Sequence, residues 1–390
     1  MPALPAPPAG PFDQVRPRYG ERSLADVLPS ALAVLDVPGA ADPLGLAGAL
    51  DGVRRIAVLL VDGLGWHQIP TAAPYAPALA ELAARHGRTL TSGFPSTTPT
   101  SLVSLGTGVA PGAHGVLGFR VNVPGTDRVL THINWTDDPD PLRWQPVPTQ
   151  LERAAAAGVA VTVVSRPEYA GSGLTVAANR GGTYRAAADP GSLATGMLAA
   201  LGAGTGPALV YGYHPDLDKQ GHLAGVDSLP WRQAAVELDL LLTRLVDGLP
   251  RDAALLVTAD HGQLNIPYEN RLDVDAEPGL RAGVRLVAGE PRVRYLHVRP
   301  GAEPDVVAAW SAELGGRAWV AGRAEAIAAG WFGPVPEPHR RRVGDVVVAC
   351  LGPYAVLDSR TDSPVEARLV AYHGSCTAAE MTIPLLVRRG

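Results

Sequence analysis

The chain has 390 residues, of which 46% are hydrophobic and 18% are charged, and its net charge at neutral pH is −5. This composition supplies a sizeable core, and the length suits either one elaborated α/β domain or two to three smaller ones. The acidic balance provides no basic surface for a nucleic-acid backbone, so we expect no binding to a duplex. The longest apolar run, 56–61, is far shorter than the roughly 20 residues that span a bilayer, so we expect no membrane association.

Cysteine content and the first residues favour a cytoplasmic protein. Cys350 and Cys376 are the only cysteines, which excludes a disulfide framework and suits a reducing compartment. The start of the chain (MPALPAPPAG) lacks the charged residues and the apolar stretch of a secretory signal. Residues 1–20 show no periodicity and are predicted to form a loose arm. Lys219 is the only lysine, in a composition that indicates a GC-rich coding bias.

Short apolar runs alternate with helical patterns along most of the chain. This alternation is typical of an α/β fold with a mostly parallel central sheet and helices on both faces. Helices are predicted at 75–86, 149–157 and 230–249, the last with Ser228 as its N-cap. Buried strands are predicted at 56–61, 159–165, 207–213, 253–259, 346–349 and 383–387.

The region 265–345 has a different character. It combines an arginine-rich alternating strand at 293–298 with two short helices and frequent glycine and proline. We interpret it as a small cap inserted into one domain that spans residues 1–390.

Three carboxylates and three imidazoles are predicted to meet at one edge of the sheet. The carboxyl ends of parallel strands lie side by side there, which is where ligands bind in open α/β sheets. Mixed Asp/His coordination suits zinc, with manganese as a harder alternative, and six ligands divide naturally between two ions. Asp216 is an alternative to Asp218 at the third strand end. The candidate ligands are Asp62, Asp218, His222, Asp260, His261 and His373.

The segment GFPSTTPTSL (93–102) offers a nucleophile for such a site. Thr98 precedes Pro99, and because proline favours the first turn of a helix, Thr98 is predicted to be the N-cap. A hydroxyl there points into the positive end of the helix dipole, where backbone N–H groups can hold a phosphate. A metal ion bound to this oxygen would stabilise its alkoxide without a histidine base.

Five segments in order resemble the alkaline phosphatase superfamily, most closely its nucleotide pyrophosphatase/phosphodiesterase (type I phosphodiesterase) branch. They are VLLVDGLGW (58–66), FPSTTPTSLVSLGTGVAPGAHGVLGF (94–119), DKQGH (218–222), TADHG (258–262) and HGS (373–375). The resemblance implies an alkaline-phosphatase-like fold and a two-metal hydrolase. Its substrate would be a small phosphate ester or nucleotide whose phosphodiester or pyrophosphate bond is cleaved through a phosphothreonine intermediate.

The resemblance also assigns roles to individual residues. It makes Thr98 the nucleophile, with Thr97 as the fallback. Asp218 is preferred to Asp216 because the family's ligand lies four residues before its histidine. One metal ion would be held by Asp62, Thr98, Asp260 and His261, and the other by Asp218, His222 and His373.

The sequence departs from the family pattern at one position. The branch places a phosphate-contacting asparagine a few residues after His114-Gly115, where this chain has Phe119. Arg120, Asn122 and Lys219 are the candidate replacements. The departure keeps an alternative function open on the same fold, namely a phosphomonoesterase or phosphonate hydrolase.

Other classes of protein fit the sequence less well. A dinucleotide-binding oxidoreductase needs a third glycine where Gln68 stands. A serine hydrolase needs a G-x-S-x-G elbow, which is absent from the sequence. A non-catalytic metal-binding scaffold would have lost the nucleophile, whereas Thr98 is present. The sequence indicates neither the leaving group nor the oligomeric state.

Overall fold

The computed structural model describes residue 4 and residues 6–390. Residues 1–3 and 5, which belong to the predicted arm, lie outside the described residues. The later part of the arm packs against the body of the protein: the Val15 N–H donates to the carbonyl of Cys376 at 2.8 Å, and the Tyr19 hydroxyl donates to the carbonyl of Trp331 at 2.9 Å. The prediction of a loose arm is wrong for this stretch, because long-range contacts hold it in place.

Strands and helices alternate along the chain. In order, the strands are β1 (Arg55–Val61), β2 (Gly87–Thr91), β3 (Arg120–Asn122), β4 (Val129–Thr131), β5 (Ala160–Ser165), β6 (Thr183–Ala186), β7 (Ala208–His214), β8 (Ala253–Thr258), β9 (Leu264–Asn265), β10 (Arg271–Asp273), β11 (Val284–Glu290), β12 (Val293–Val298), β13 (Ala318–Gly322), β14 (Val346–Cys350), β15 (Ala355–Leu357), β16 (Ala371–Tyr372) and β17 (Thr382–Arg389). The helices are α1 (Val27–Val34), α2 (Leu46–Ala49), α3 (Ile69–Ala72), α4 (Pro77–His86), α5 (Thr98–Thr107), α6 (Pro111–His114), α7 (Pro141–Trp144), α8 (Gln150–Ala156), α9 (Gly173–Asn179), α10 (Pro190–Gly202), α11 (Asp216–Ala224), α12 (Leu229–Asp247), α13 (Pro278–Arg281), α14 (Glu303–Leu314), α15 (Arg323–Ala328), α16 (Glu337–Arg340) and α17 (Ala378–Met381).

The central sheet has seven strands in the order β2-β17-β8-β1-β7-β5-β6. Strand β1 lies between β8 and β7 and is parallel to both, whereas β17 is antiparallel to its two neighbours. Apart from its first residue, β1 is fully buried, as its run of valine, leucine and isoleucine requires in a sheet covered on both faces. The prediction of a mostly parallel sheet with flanking helices is confirmed.

Predicted elements match the observed ones where burial is strong. Helix α12 begins one residue earlier than predicted, and Ser228 caps it by accepting a hydrogen bond from the Trp231 N–H at 3.3 Å. Strands β2 and β6 were not predicted, because they form the two edges of the sheet and lack a continuous apolar run.

None of the helices in the described part of the chain is long and apolar enough to cross a membrane.

A second sheet follows the central one, with four antiparallel strands in the order β11-β12-β14-β13. Its core is separate and includes Leu296 and the buried indole of Trp310 on α14. Strand β14 belongs to this sheet, so the sheet extends beyond the predicted cap boundary at 345. The assignment of a single domain with an inserted cap stays a prediction.

Candidate active site

The proposed nucleophile begins helix α5. Thr97 is the N-cap, with extended dihedral angles (φ −134°, ψ 147°), and Thr98 is the first helical residue. The prediction that Thr98 is the N-cap is therefore wrong by one position, because Pro99 occupies the second helical position rather than the first. The Thr98 Oγ1 instead lies 3.1 Å from the Nε2 of His261. Its hydroxyl faces the sheet edge.

The first group of ligand candidates follows β1 and β8. The Nε2 of His261 lies 3.5 Å from the Oδ1 of Asp62 and 3.2 Å from the Oδ2 of Asp260. Both carboxylate oxygens are buried and make no well-formed hydrogen bond among the described residues. The Nδ1 of His261 faces the carbonyl of Gly262 at 3.2 Å. Two free carboxylate oxygens, an imidazole nitrogen and the Thr98 hydroxyl thus converge.

The second group combines helix α11 with the segment after β16. Asp218 Oδ2 lies 3.2 Å from His222 Nε2, which lies 3.2 Å from His373 Nε2. The Nδ1 atoms of the two rings contact the carbonyls of Ala371 and Ser96 at 2.8 and 3.0 Å. Since a carbonyl only accepts, each Nδ1 carries the proton and the two Nε2 lone pairs face each other. That arrangement fits a cation bound between them.

Two further side chains hold these carboxylates in place. The Gln263 amide donates to Asp218 Oδ1 at 2.6 Å and to its backbone carbonyl at 3.1 Å, and the Tyr213 hydroxyl donates to Asp62 Oδ2. Gly221 allows α11 to approach the amide, because a Cβ there would lie 1.8 Å from Gln263 Oε1. Sequence reasoning missed Gln263, whose one signal is that it directly follows the TADHG segment.

The electrostatics of the cluster favour a bound cation. Burial and the negative charges of Asp260 and Asp218 raise the pKa of Asp62 well above its ordinary value. Burial also raises the pKa of Asp218. Burial alone lowers the pKa of His261, but the charge and hydrogen bond of Asp260 outweigh it and raise the pKa to about 9. A divalent ion would relieve the repulsion between these carboxylates.

All seven residues that the sequence singles out lie in these two groups. Asp218 can join either group, so it links them. Asp216, the alternative at the third strand end, is instead bound by both oxygens to Arg166 at 2.8 and 2.7 Å. The seven are Asp62, Thr98, Asp218, His222, Asp260, His261 and His373.

Two of the three candidate replacements for the missing asparagine point elsewhere. The Arg120 guanidinium is buried against two backbone carbonyls and the carboxylate of Asp362. The Asn122 amide donates to two carbonyls of its own hairpin, at 2.8 and 3.1 Å. Of the three, only Lys219 lines the cavity, together with Thr98 and Phe119.

That cavity has a volume of about 600 Å³ and is lined mainly by apolar and aromatic side chains. The rings of Tyr169 and Tyr213 meet edge to face within it, with centroids 5.9 Å apart. Glu290, at the end of β11, also lines it, and burial raises the pKa of its carboxyl to about 8. No motif surrounds Glu290, so the sequence held no signal for it.

The site is an Asp/His cluster around the hydroxyl of a helix-initiating threonine, at the carboxyl edge of a mostly parallel sheet, and this arrangement is typical of a metal-dependent hydrolase. Residues 56–376 match the family model of type I phosphodiesterase/nucleotide pyrophosphatase. The chain belongs to that family of metal-dependent hydrolases, as its sequence motifs predict. No curated protein matches the chain in sequence.

Solved structures share the fold at low sequence identity. Murine ectonucleotide pyrophosphatase/phosphodiesterase 5 superposes with a TM-score of 0.68 at 17% identity, over 86% of this chain and 88% of the other. Phosphonoacetate hydrolase from Sinorhizobium meliloti, in complex with phosphonoformate, superposes with a TM-score of 0.66 at 20% identity, over 86% and 90%. Both neighbours support the predicted alkaline-phosphatase-like fold.

Proposed function

We propose that the chain hydrolyses phosphodiester or pyrophosphate bonds in a nucleotide or similar small molecule, with Thr98 as the nucleophile. The observation that carries the proposal is the position of the Thr98 Oγ1, 3.1 Å from His261 Nε2 and open to the cavity. The murine neighbour has also been solved as an inactive threonine-to-alanine variant in complex with AMP. That complex supports a nucleotide ligand and an essential threonine.

The two groups of ligand candidates suit two divalent ions. Imidazole and carboxylate ligands together favour zinc, with manganese as the alternative. When bound, such ions act as Lewis acids that favour the ionised hydroxyl and offset negative charge on the phosphate oxygens. The proposed ligands are Asp62, Thr98, Asp260 and His261 for one ion and Asp218, His222 and His373 for the other.

The chain's own residues then carry the reaction in two steps. The Thr98 hydroxyl gives up its proton to water, and its oxygen forms a bond to phosphorus in line with the leaving oxygen. The bond from phosphorus to the leaving oxygen breaks, and that oxygen departs with the electron pair and takes up a proton from water. The N-terminal N–H groups of α5 favour the negative phosphate. Water hydrolyses the phosphothreonine and restores the hydroxyl, while the Tyr213 hydrogen bond keeps Asp62 in place.

The composition of the cavity supports a diester over a monoester. A diester phosphate carries one negative charge, whereas a monoester carries up to two and calls for further donors. Phe119 and Leu102 lie in the wall beside Thr98, and no arginine of the described chain lines the cavity. The second candidate is a phosphomonoesterase or phosphonate hydrolase, which the shared fold with phosphonoacetate hydrolase favours.

The deciding experiment compares kcat/KM for bis-p-nitrophenyl phosphate, p-nitrophenyl phosphate and phosphonoacetate, using protein reconstituted with zinc. We expect the diester to be preferred at least about tenfold, which corresponds to about 1.4 kcal/mol in transition-state free energy. A preference for the monoester or for phosphonoacetate would replace the proposal with the second candidate. If Thr98→Ala left turnover unchanged, the assignment of Thr98 as the nucleophile would be wrong.

A further inference from the structure

The cavity wall carries one fixed positive charge. Among the described lining residues, Lys219 is the only lysine or arginine. Apart from the metal-ligand candidates, the other acidic groups in the lining are the carboxyls of Glu168, Glu290 and Glu366. The three aspartate ligands and the ionised Thr98 oxygen balance the four positive charges of two divalent ions. Among the described lining residues, Lys219 is therefore the one cationic side chain left to pair with a second anionic group on the substrate.

Local structure does not account for this lysine. The nearby carboxylates are engaged elsewhere, since Asp216 pairs with Arg166 and Asp218 pairs with His222. Lys219 is exposed and lies near the start of α11, where the helix dipole disfavours a cation. Every other one of the 33 basic residues in the chain is an arginine. Thus no ion pair with a described residue explains the charge of Lys219, and helix electrostatics do not explain it either.

The position of Lys219 indicates which part of the substrate it reaches. It follows Asp218 directly and lies one helical turn before Leu223, and all three residues line the cavity. Leu223 is 54% exposed, so this side of the helix forms the rim of the cavity. A flexible ammonium group at the rim suits an anionic group that the substrate carries beyond its reacting phosphate.

We infer that Lys219 binds a second anionic group of the substrate, such as the second phosphate of a pyrophosphate, and so selects pyrophosphates over simple diesters. The inference rests on the proposed function and names a substrate class for it. A lost charge contact with a bound group weakens substrate binding, so the effect falls on KM. Lys219 acts on specificity and takes no part in forming or breaking bonds.

The test compares Lys219→Met and Lys219→Arg on two substrates that share a nucleoside, thymidine 5′-(p-nitrophenyl phosphate) and thymidine 5′-diphosphate glucose. For Lys219→Met we expect kcat/KM to fall about tenfold or more on the pyrophosphate, through KM, and less than about threefold on the diester. Lys219→Arg should retain most of the pyrophosphate activity. Arg143→Met, which removes the same charge from a side chain 91% exposed and outside the cavity lining, is the matched control and should match the wild type.

A binding measurement gives a second readout without turnover. In the Thr98→Ala background, Lys219→Met should weaken calorimetric binding of thymidine 5′-diphosphate more than that of thymidine 5′-monophosphate. Equal losses on both ligands, or no loss, would overturn the inference. If the wild type turns over neither thymidine substrate, the proposed function fails, and the diphosphate binding still decides the role of Lys219.

Discussion

The ligand groups and the cavity wall are two regions of one site with different construction. Three of the ligand candidates follow buried strands of the central sheet, and these residues, Asp62, Asp260 and His261, are each at most 3% exposed. The wall draws in part on short segments between elements, where Ile133 is 49% and Val365 is 64% exposed. The reactive groups are therefore attached to the most rigid part of the molecule, and the substrate contacts to the part most tolerant of change.

Hydrogen bonding follows the same division. Each imidazole in the ligand groups turns its Nδ1 toward a backbone carbonyl, which sets the direction of its Nε2. The wall meets the substrate mainly through packing, as in the contact of Tyr169 with Tyr213. Substitutions in the ligand groups should therefore change kcat and metal content, whereas substitutions in the wall should change KM. Four variants, in order of decreasing expected effect, test this contrast.

Replacing the nucleophile should have the largest effect. Thr98→Ala should lower kcat by more than about a thousandfold, because it removes the oxygen that forms the covalent intermediate, while metal content stays nearly intact. Steady-state kinetics and elemental analysis check both parts. Metal loss would make Thr98 chiefly a ligand. Loss of turnover in Thr97→Ala, with activity retained in Thr98→Ala, would move the nucleophile to the fallback residue.

Removing one imidazole ligand should cost less than removing the nucleophile. His373→Ala should lower kcat/KM by about a hundredfold and release one of the two ions, because one ion would lose a third of its protein ligands. Elemental analysis after dialysis measures the loss. His67→Ala removes a histidine outside both groups and is the control. Retention of both ions in His373→Ala would show that the second group is assigned wrongly.

Removing the support of a ligand should have an intermediate effect. Gln263→Leu deletes the amide that binds both the side chain and the backbone of Asp218, and we expect metal affinity to fall about ten- to a hundredfold. Chelator competition measures that affinity. Gln220→Leu, an amide loss on α11 outside the cavity lining, is the matched control. Unchanged affinity in Gln263→Leu would mean that the helix alone orients Asp218.

A substitution in the wall should have the smallest effect. Tyr169→Ala should raise KM for an aromatic diester by about three- to tenfold, because an aromatic contact contributes about 0.5–1.5 kcal/mol. Metal content and kcat should change little. Tyr268→Ala, at a ring 83% exposed and outside the cavity lining, is the control. If Tyr169→Ala instead released metal, the contrast between the two regions would not hold.

Local and periodic signals made much of the site predictable. Asp62, Asp260 and His261 could be placed together because they follow strongly apolar strands, and Asp218 and His222 keep a four-residue helical spacing. The assignment of His373 rested on the HGS segment of the family resemblance. The N-cap of α5 was misplaced because Thr97 and Thr98 both precede the proline, and the choice between them depends on how the helix packs. Glu290 was not predicted, because it lines the cavity only through the packing of the second sheet, to which β11 belongs.

The sequence by itself determined the five inner strands of the central sheet, the order of the ligand-bearing strand ends along the chain and the presence of a threonine at a helix start. Such features follow directly from apolar periodicity and from short distances between residues along the sequence. Only the tertiary structure decided that Gln263 supports Asp218, 45 positions away, and that Tyr213 supports Asp62, 151 positions away. It also decided that Lys219, rather than Arg120 or Asn122, lines the cavity. These contacts depend on which distant segments pack together, and local sequence patterns do not encode that packing.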